Sequence, residues 1–480
     1  MKRLIAFAPL ALAGCAVGPQ HPTTTPSLAP ATASERIAPI SGPAQDIVAG
    51  ASPKADWWTA FGSAKLDALV DLALAKNEDL ALAETTLRQA RETAGATAGA
   101  ALPQADVNYN VEHARVSNAL ATPLVDPNET LYTLHTAQLS VTYPLDLFGL
   151  QRNRSRSARA QAEVASERLR AARKTVVANL VTAVIQFAAL GGQIDATNAA
   201  VASNRDLLAM LLKRQALGDI GNADIAAQQA ALATAESSLP PLVRQGEHQR
   251  TVIAALLGIA PGSTLPPLPA FAELSLPATL PVALPAAIVA NRPDIRAADA
   301  QMRGAGADLG AAIAARLPNL VLSGQAGGAS PNFADMFASG NPFWTLIGGI
   351  TQPIFHGGTL RHQQRAAAAA LDGAKAQYRS AVLQAFADVS DALTGLRTDA
   401  DVLDAATRAG KAADLSLIYG RRQLALGGIG TLTLLNASAA DAQATAALIQ
   451  AQAARLTDTV ALYQAVGGGI DATPAASGAR

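Results

Sequence analysis

One cysteine, Cys15, stands in 480 residues, so no disulfide can form within the chain. Lysine plus arginine equals aspartate plus glutamate at 37 each, and zero net charge removes the electrostatic drive toward nucleic acid. Aromatic residues make up only 4% although half the chain is apolar. Much of that half is alanine, which favours helix but buries little area, so long, thin, closely packed helices are expected rather than one thick core. No run of 18 or more apolar residues occurs, which excludes a spanning helix. The histidines His21, His113, His135, His248, His356 and His362 form no HExxH or comparable ligand spacing, and neither GxSxG nor a P-loop is present. An enzyme is therefore not expected, and no catalytic residue, metal or cofactor is assigned. Gly304-Ala305-Gly306 with Gly310 has the glycines of a dinucleotide loop but lies in a helical pattern without a preceding strand, so it reads as close helix packing.

What is present begins with a targeting pattern. Lys2 and Arg3 precede the apolar stretch Leu4 to Leu12, followed by Ala13-Gly14-Cys15, so residues 1–14 read as a signal peptide. Cys15 sits where bacterial lipoprotein precursors are cut and lipidated; the alternative is an ordinary signal peptide with an incidental cysteine. Ala16, rather than Asp, follows it, as in lipoproteins sorted to the outer membrane, and acyl chains there would tether the N-terminus. Residues 15–53 are rich in Pro, Ala, Ser and Thr without periodicity and read as an extended, lipid-anchored linker.

The body repeats itself. Residues 54–260 and 286–469 each run helix, two strands, long helix, turn and returning helix, joined by the Pro-rich crossover 261–285 and followed by a flexible tail, 470–480. Helical spacing from Leu66 continues to about Ala101; alternation at Val107, Tyr109 and Val111 and at Leu139, Val141 and Tyr143 marks strands. Arg115 to Leu134 reads as a polar loop. The second half places strands at Asn319 to Ala326 and Phe343 to Thr351. Helical patterns run from Leu150 to Leu217 and from beyond Pro353 to about Leu426, and return from Ala223 to Leu257 and Leu432 to Val466. Pro144 and Pro353 each stand 74 residues before a turn glycine, Gly218 and Gly427. Helices of roughly 68 residues at about 1.5 Å per residue are on the order of 100 Å long. Four strands with apolar faces suit lipid, where open sheet edges are not tolerated, so strands must be pooled between chains.

The chain resembles the TolC-like outer membrane factors, specifically the lipidated NodT/OprM-type efflux proteins. The resemblance rests on LAGCAVGP at the start, the segment around Trp57-Trp58 and KLDALV, the LPPLP crossover, Arg292-Pro293-Asp294-Ile295, ARLPNLVLSG and TQPIFHGG. It covers nearly the whole chain. It implies a mainly α fold with a transmembrane β-barrel: a homotrimer pooling its strands into a 12-stranded barrel in the outer membrane, with a 12-helix periplasmic tunnel. The implied function is a passive export duct for small molecules, coupled through a periplasmic adaptor to an inner-membrane RND-type pump. Two alternatives stay open: a type I protein-secretion duct on the same architecture, and a periplasmic coiled-coil scaffold without a pore, against which the alternating strands argue.

The sharpest internal repeat is the twin turn, QALGDIG at Gln215 to Gly221 and QLALGGIG at Gln423 to Gly430. Gly218, Gly221, Gly427, Gly428 and Gly430 are read as suppliers of the positive φ that a tight helix reversal needs. The resemblance places these turns at the periplasmic tip and gate, and makes Arg214, Arg421 and Arg422 adaptor contacts; as solvated helix-end charges they complement the helix dipole in any case. The best-known members carry two acidic gate residues after the second turn, where this chain has Thr433 and Asn436, and tyrosine and arginine gate ties at the positions of Leu424 and Ile429. Asp219 and Asp224 remain at the first turn.

Overall fold

The computed structural model describes residues 34–39, 42–51, 53–115, 117, 131–283 and 285–467. The signal-peptide reading, Cys15, most of the loop after Arg115 and the tail 470–480 lie outside them. In chain order the elements are strands β1 (Glu35–Ile37) and β2 (Gln45–Ala49), helices α1 (Ala64–Lys76) and α2 (Glu78–Gly99), strands β3 (Gln104–Arg115) and β4 (Leu131–Leu145), helices α3 (Leu150–Ala216) and α4 (Asn222–Leu256), strand β5 (Thr279–Val282), helices α5 (Pro285–Asn291) and α6 (Pro293–Ala314), strands β6 (Asn319–Ser330) and β7 (Pro342–Thr351), and helices α7 (Thr359–Ala425) and α8 (Thr431–Ala465). The chain divides into two compact units, each made of separate stretches.

One unit takes in Thr86–Ser166 and Ala297–Tyr378 and holds an antiparallel sheet of order β3-β4-β6-β7. Its register aligns the side chains by kind. Val107 lies opposite Leu139, Leu139 opposite Ala326, and Ala326 opposite Trp344. Because strand side chains alternate between faces, this row belongs to one apolar face with Tyr109, Val141, Leu322, Leu346 and Ile350. These residues are exposed or half-buried; Val107 is 80% and Trp344 78% exposed. Asn108, Asn110, Gln138, Ser140 and Thr142 fall on the other face, with Asn108 donating to Ser140. Strands β3 and β7 are each paired on one side only among the described residues. Strand β4 begins at Leu131, so the final residues of the expected polar loop are strand. In the same unit Met302 and Leu371 pack together. A methyl at Gly304 would lie 3.3 Å from Ala160 and one at Gly310 2.7 Å from Asn153, so these two glycines of α6 lie close against α3, whereas one at Gly306 would meet no atom within 4 Å.

The other unit comprises Thr25–Thr85, Glu167–Arg296 and Arg379–Arg480. Trp57, Trp58 and Phe61 are buried in a short 3-10 turn, and Trp57 stacks on Tyr463 with ring centroids 5.0 Å apart. Ser63 caps α1. The helix expected to continue to Ala101 is broken at Asn77, whose extended backbone ends α1 and whose Oδ1 accepts from the Leu80 N–H at 3.1 Å to start α2. Its Nδ2 donates to the Leu256 carbonyl at the end of α4. The stretches read as linker and crossover also differ from expectation. β1 and β2 lie in the former and β5 in the latter, and together they form a three-stranded sheet, antiparallel for β1-β2 and parallel for β2-β5. These strands are short, and their partners are far away in sequence, which leaves no local period to read.

Within α3, one window is apolar and long enough to cross a membrane by length and composition alone, although its apolar residues are not a consecutive run. More than half of it is buried, with Val177, Leu180, Val181, Val184 and Ile185 in the core. Arg292, Pro293 and Asp294 close off α8. Arg292 donates to the Ala465 carbonyl at 2.9 Å and to Asp294 and Asp388 at 2.7 and 2.8 Å, while Lys174 donates to the Gly467 carbonyl at 2.6 Å. Arg292 thus satisfies the orphan carbonyl of Ala465, and both cations stand where the helix dipole favours them.

Candidate functional site

The two hairpin turns have the same hydrogen-bond pattern. In the first, Asp219 N–H donates to the Arg214 carbonyl and Gly218 N–H to Gln215; in the second, Gly428 N–H donates to Gln423 and Gly427 N–H to Leu424. Each is a Schellman closure, and each needs one left-handed residue. That residue is Gly218, with φ of 78°, and Gly427, with φ of 73°. The remaining three glycines correct the sequence reading. Gly221 and Gly430 are helix N-caps with φ of −91° and −82°, and Gly428 is not among the positive-φ residues. A Schellman closure turns the chain with a single αL residue, and space does not demand glycine at the others: an added methyl would meet no atom within 4 Å at Gly221 or Gly430 and only ordinary contact at Gly428.

Below the turns the two hairpins share one apolar cluster. Leu207 and Leu211 of α3, Ile225 of α4, Leu417 and Leu424 of α7 and Leu434 of α8 are buried together, with Ile220 and Ile429 packed against them. Ile220 and Ile429 each stand two residues beyond the αL glycine, so the repeat in sequence is a repeat in packing. Leu424 is therefore buried within the cluster, and Ile429 packs against it half-buried. Leu217 and Leu426, at the turn itself, are 84% and 86% exposed.

Polar groups around the turns are partly committed. Arg214 pairs with Asp219 across the first turn at 2.7 Å, and Arg421 donates to Ser203 on α3. Arg422 is exposed in the last turn of α7, Asp224 is half-buried in the first turn of α4, and Thr433 and Asn436 are exposed on α8. Sequence reasoning missed the clamp of Gln228, fully buried, which donates to both the carbonyl and the side chain of Asn204. It also missed an acidic neighbourhood on the second hairpin. Burial, and then the charge of Asp414, push the Asp441 carboxyl above the usual carboxylate range. Neither feature has a sequence period, because each depends on which faces of two helices meet.

The family model described as outer membrane efflux protein matches residues 69–259 and 284–468. The pyoverdine export outer membrane protein OpmQ of Pseudomonas putida is 31% identical over 72% of this chain and 73% of its own length; the solvent efflux pump outer membrane protein SrpC of the same species is 28% identical over 83% of each. Among solved structures, the outer-membrane channel OprN superposes with a TM-score of 0.86 at 26% identity, covering 95% of this chain and all of that one. The chain belongs to the outer membrane efflux protein family and is the outer membrane channel component of an efflux system.

Proposed function

We propose that three copies of this chain close a 12-stranded barrel in the outer membrane and a 12-helix tunnel in the periplasm. The supporting observation is the four-stranded sheet with one continuous apolar face and, among the described residues, unpaired edges at β3 and β7. An open sheet is not tolerated in lipid, and bacterial outer-membrane barrels have eight strands or more. Cys15 carries the acyl anchor after loss of residues 1–14. The duct is passive and carries small molecules; an inner-membrane RND-type pump supplies the energy, and a periplasmic adaptor joins the two. The names of OpmQ and SrpC, which concern pyoverdine and solvents, favour small molecules over the protein cargo of type I secretion.

The twin turns form the periplasmic tip in this reading. Gly218, Gly221, Gly427, Gly428 and Gly430 shape it, and Arg214, Arg421 and Arg422 meet the adaptor, Arg421 and Arg422 both being exposed. With Asp219 already paired to Arg214, Asp224 is the first-turn acid facing the gate. Apolar and neutral groups from Leu432 through Thr433 to Asn436 provide the main narrowing. Single-channel recording in planar bilayers tests both levels. A conducting trimer that trivalent cations block only weakly is expected. Absence of conductance overturns the duct, and strong block that is lost in Asp224→Ala but kept in Asn436→Ala overturns the neutral gate.

A further inference from the structure

A cavity of about 820 Å³ opens in the second compact unit between Gly42 and Pro43, the crossover from Leu268 to Leu276, and helices α3 and α8. Phe187, Leu268, Phe271, Leu276, Ile449 and Leu456 make its walls apolar. Gly191 and Gly192 of α3 also line it, and a methyl added at Gly191 would meet no atom within 4 Å. Both the volume and the mostly apolar lining with few polar groups match those of small-molecule sites.

One polar group in the lining is not satisfied by the fold. Arg455 of α8 is 1% exposed, and its Nε donates to Gln45 Oε1 at 3.1 Å, but neither Nη1 nor Nη2 has a hydrogen-bond partner. Donors on a permanently charged guanidinium are costly to bury without acceptors. Asp399 attracts the guanidinium electrostatically, but its own Oδ2 is also buried without a hydrogen-bond partner, so the two do not satisfy each other. Asp195 also lines the cavity, but it is exposed and its field is screened by solvent in a way that of Arg455 is not.

We propose that this cavity binds a single-tailed amphiphile whose oxyanion head accepts hydrogen bonds from Arg455 and whose tail lies along Phe187, Phe271 and Ile449. A free fatty acid and an anionic lysophospholipid share that chemistry. Native mass spectrometry of the full-length protein released from non-ionic micelles, with submicellar dodecanoate, lysophosphatidylglycerol or dodecyltrimethylammonium added, tests it. One adduct per chain is expected for at least one of the two anions, and whichever binds names the source; the cation should not bind. Arg455→Met should weaken binding at least tenfold, and Gly191→Leu, which fills the cavity while suiting a helix, should abolish it. Thermal melts show whether each variant folds, and Gly191→Leu decides the matter if Arg455→Met does not. Equal uptake of the cation, adducts that persist in Gly191→Leu, or no adduct with either anion would overturn the proposal.

Discussion

Gly218 and Gly427 have neighbours of the same residue type and different work. An L side chain pays about 1 to 2 kcal/mol in the left-handed region, whereas serine at an N-cap satisfies a helix N–H that glycine leaves open. Gly427→Ala should therefore lower the apparent melting temperature measured by circular dichroism. Gly430→Ser should hold or raise it, and equal losses at both would contradict the assignment. Asp399 offers a pH readout at the same scale. Burial first, then the charge of Asp458, raises its carboxyl from 3.8 to about 6. The folded state then binds the proton more tightly than the unfolded chain, so stability is greatest below that window and falls as pH rises from about 4 through 6. Melting curves of Asp399→Asn should be flatter across that range than those of the parent and higher at pH 7.

Among the elements, α8 depends most visibly on residues outside itself. Its last carbonyl, that of Ala465, is held by Arg292, and the Gly467 carbonyl just beyond it by Lys174, and burial lowers the Lys174 ammonium to about 8. Removing Arg292 leaves Asp294 and Asp388 without their shared partner. Both carboxylates are a third or more exposed and stay solvated, so the loss should be about 2 kcal/mol, that of the charge-assisted hydrogen bonds themselves. Chemical denaturation of Arg292→Ala measures it, and a loss below about 1 kcal/mol would show that the network is not holding the helix end. The Arg-Pro-Asp motif is thus explained locally: Pro293 begins α6, Asp294 follows in its first turn, and Arg292 reaches back to α8.

At the scale of the whole molecule, the two faces of the β3-β4-β6-β7 sheet make opposite predictions. With the apolar face toward lipid, a cation there costs about 2 to 4 kcal/mol near the bilayer midplane, while the lumen tolerates charge. Val107→Arg should remove the heat-modifiable trimer from outer-membrane extracts, and Asn110→Arg should leave it in place and alter conductance. Trimer at parental levels in Val107→Arg would mean that this face does not meet lipid.

Periodicity made the long elements legible. Helix and strand periods are local, so α3, α4, α7, α8 and the apolar face of β3 could be read from spacing alone, as could the ALGxIG repeat that closes both hairpins. Asn77 and the short strands β1, β2 and β5 were not legible, since a cap and three distant strands leave no period. The turns show the division most sharply. Sequence by itself determined that two glycine-rich reversals end two long helical hairpins, because tight helix closures admit few residue types. Only the tertiary structure decided that Gly218 and Gly427 alone of the turn glycines need positive φ, that Leu424 goes into a shared core with Ile429 packed against it, and that Asp219 is tied to Arg214. Those outcomes depend on which helix faces meet, and packing between residues hundreds of positions apart carries no local signature.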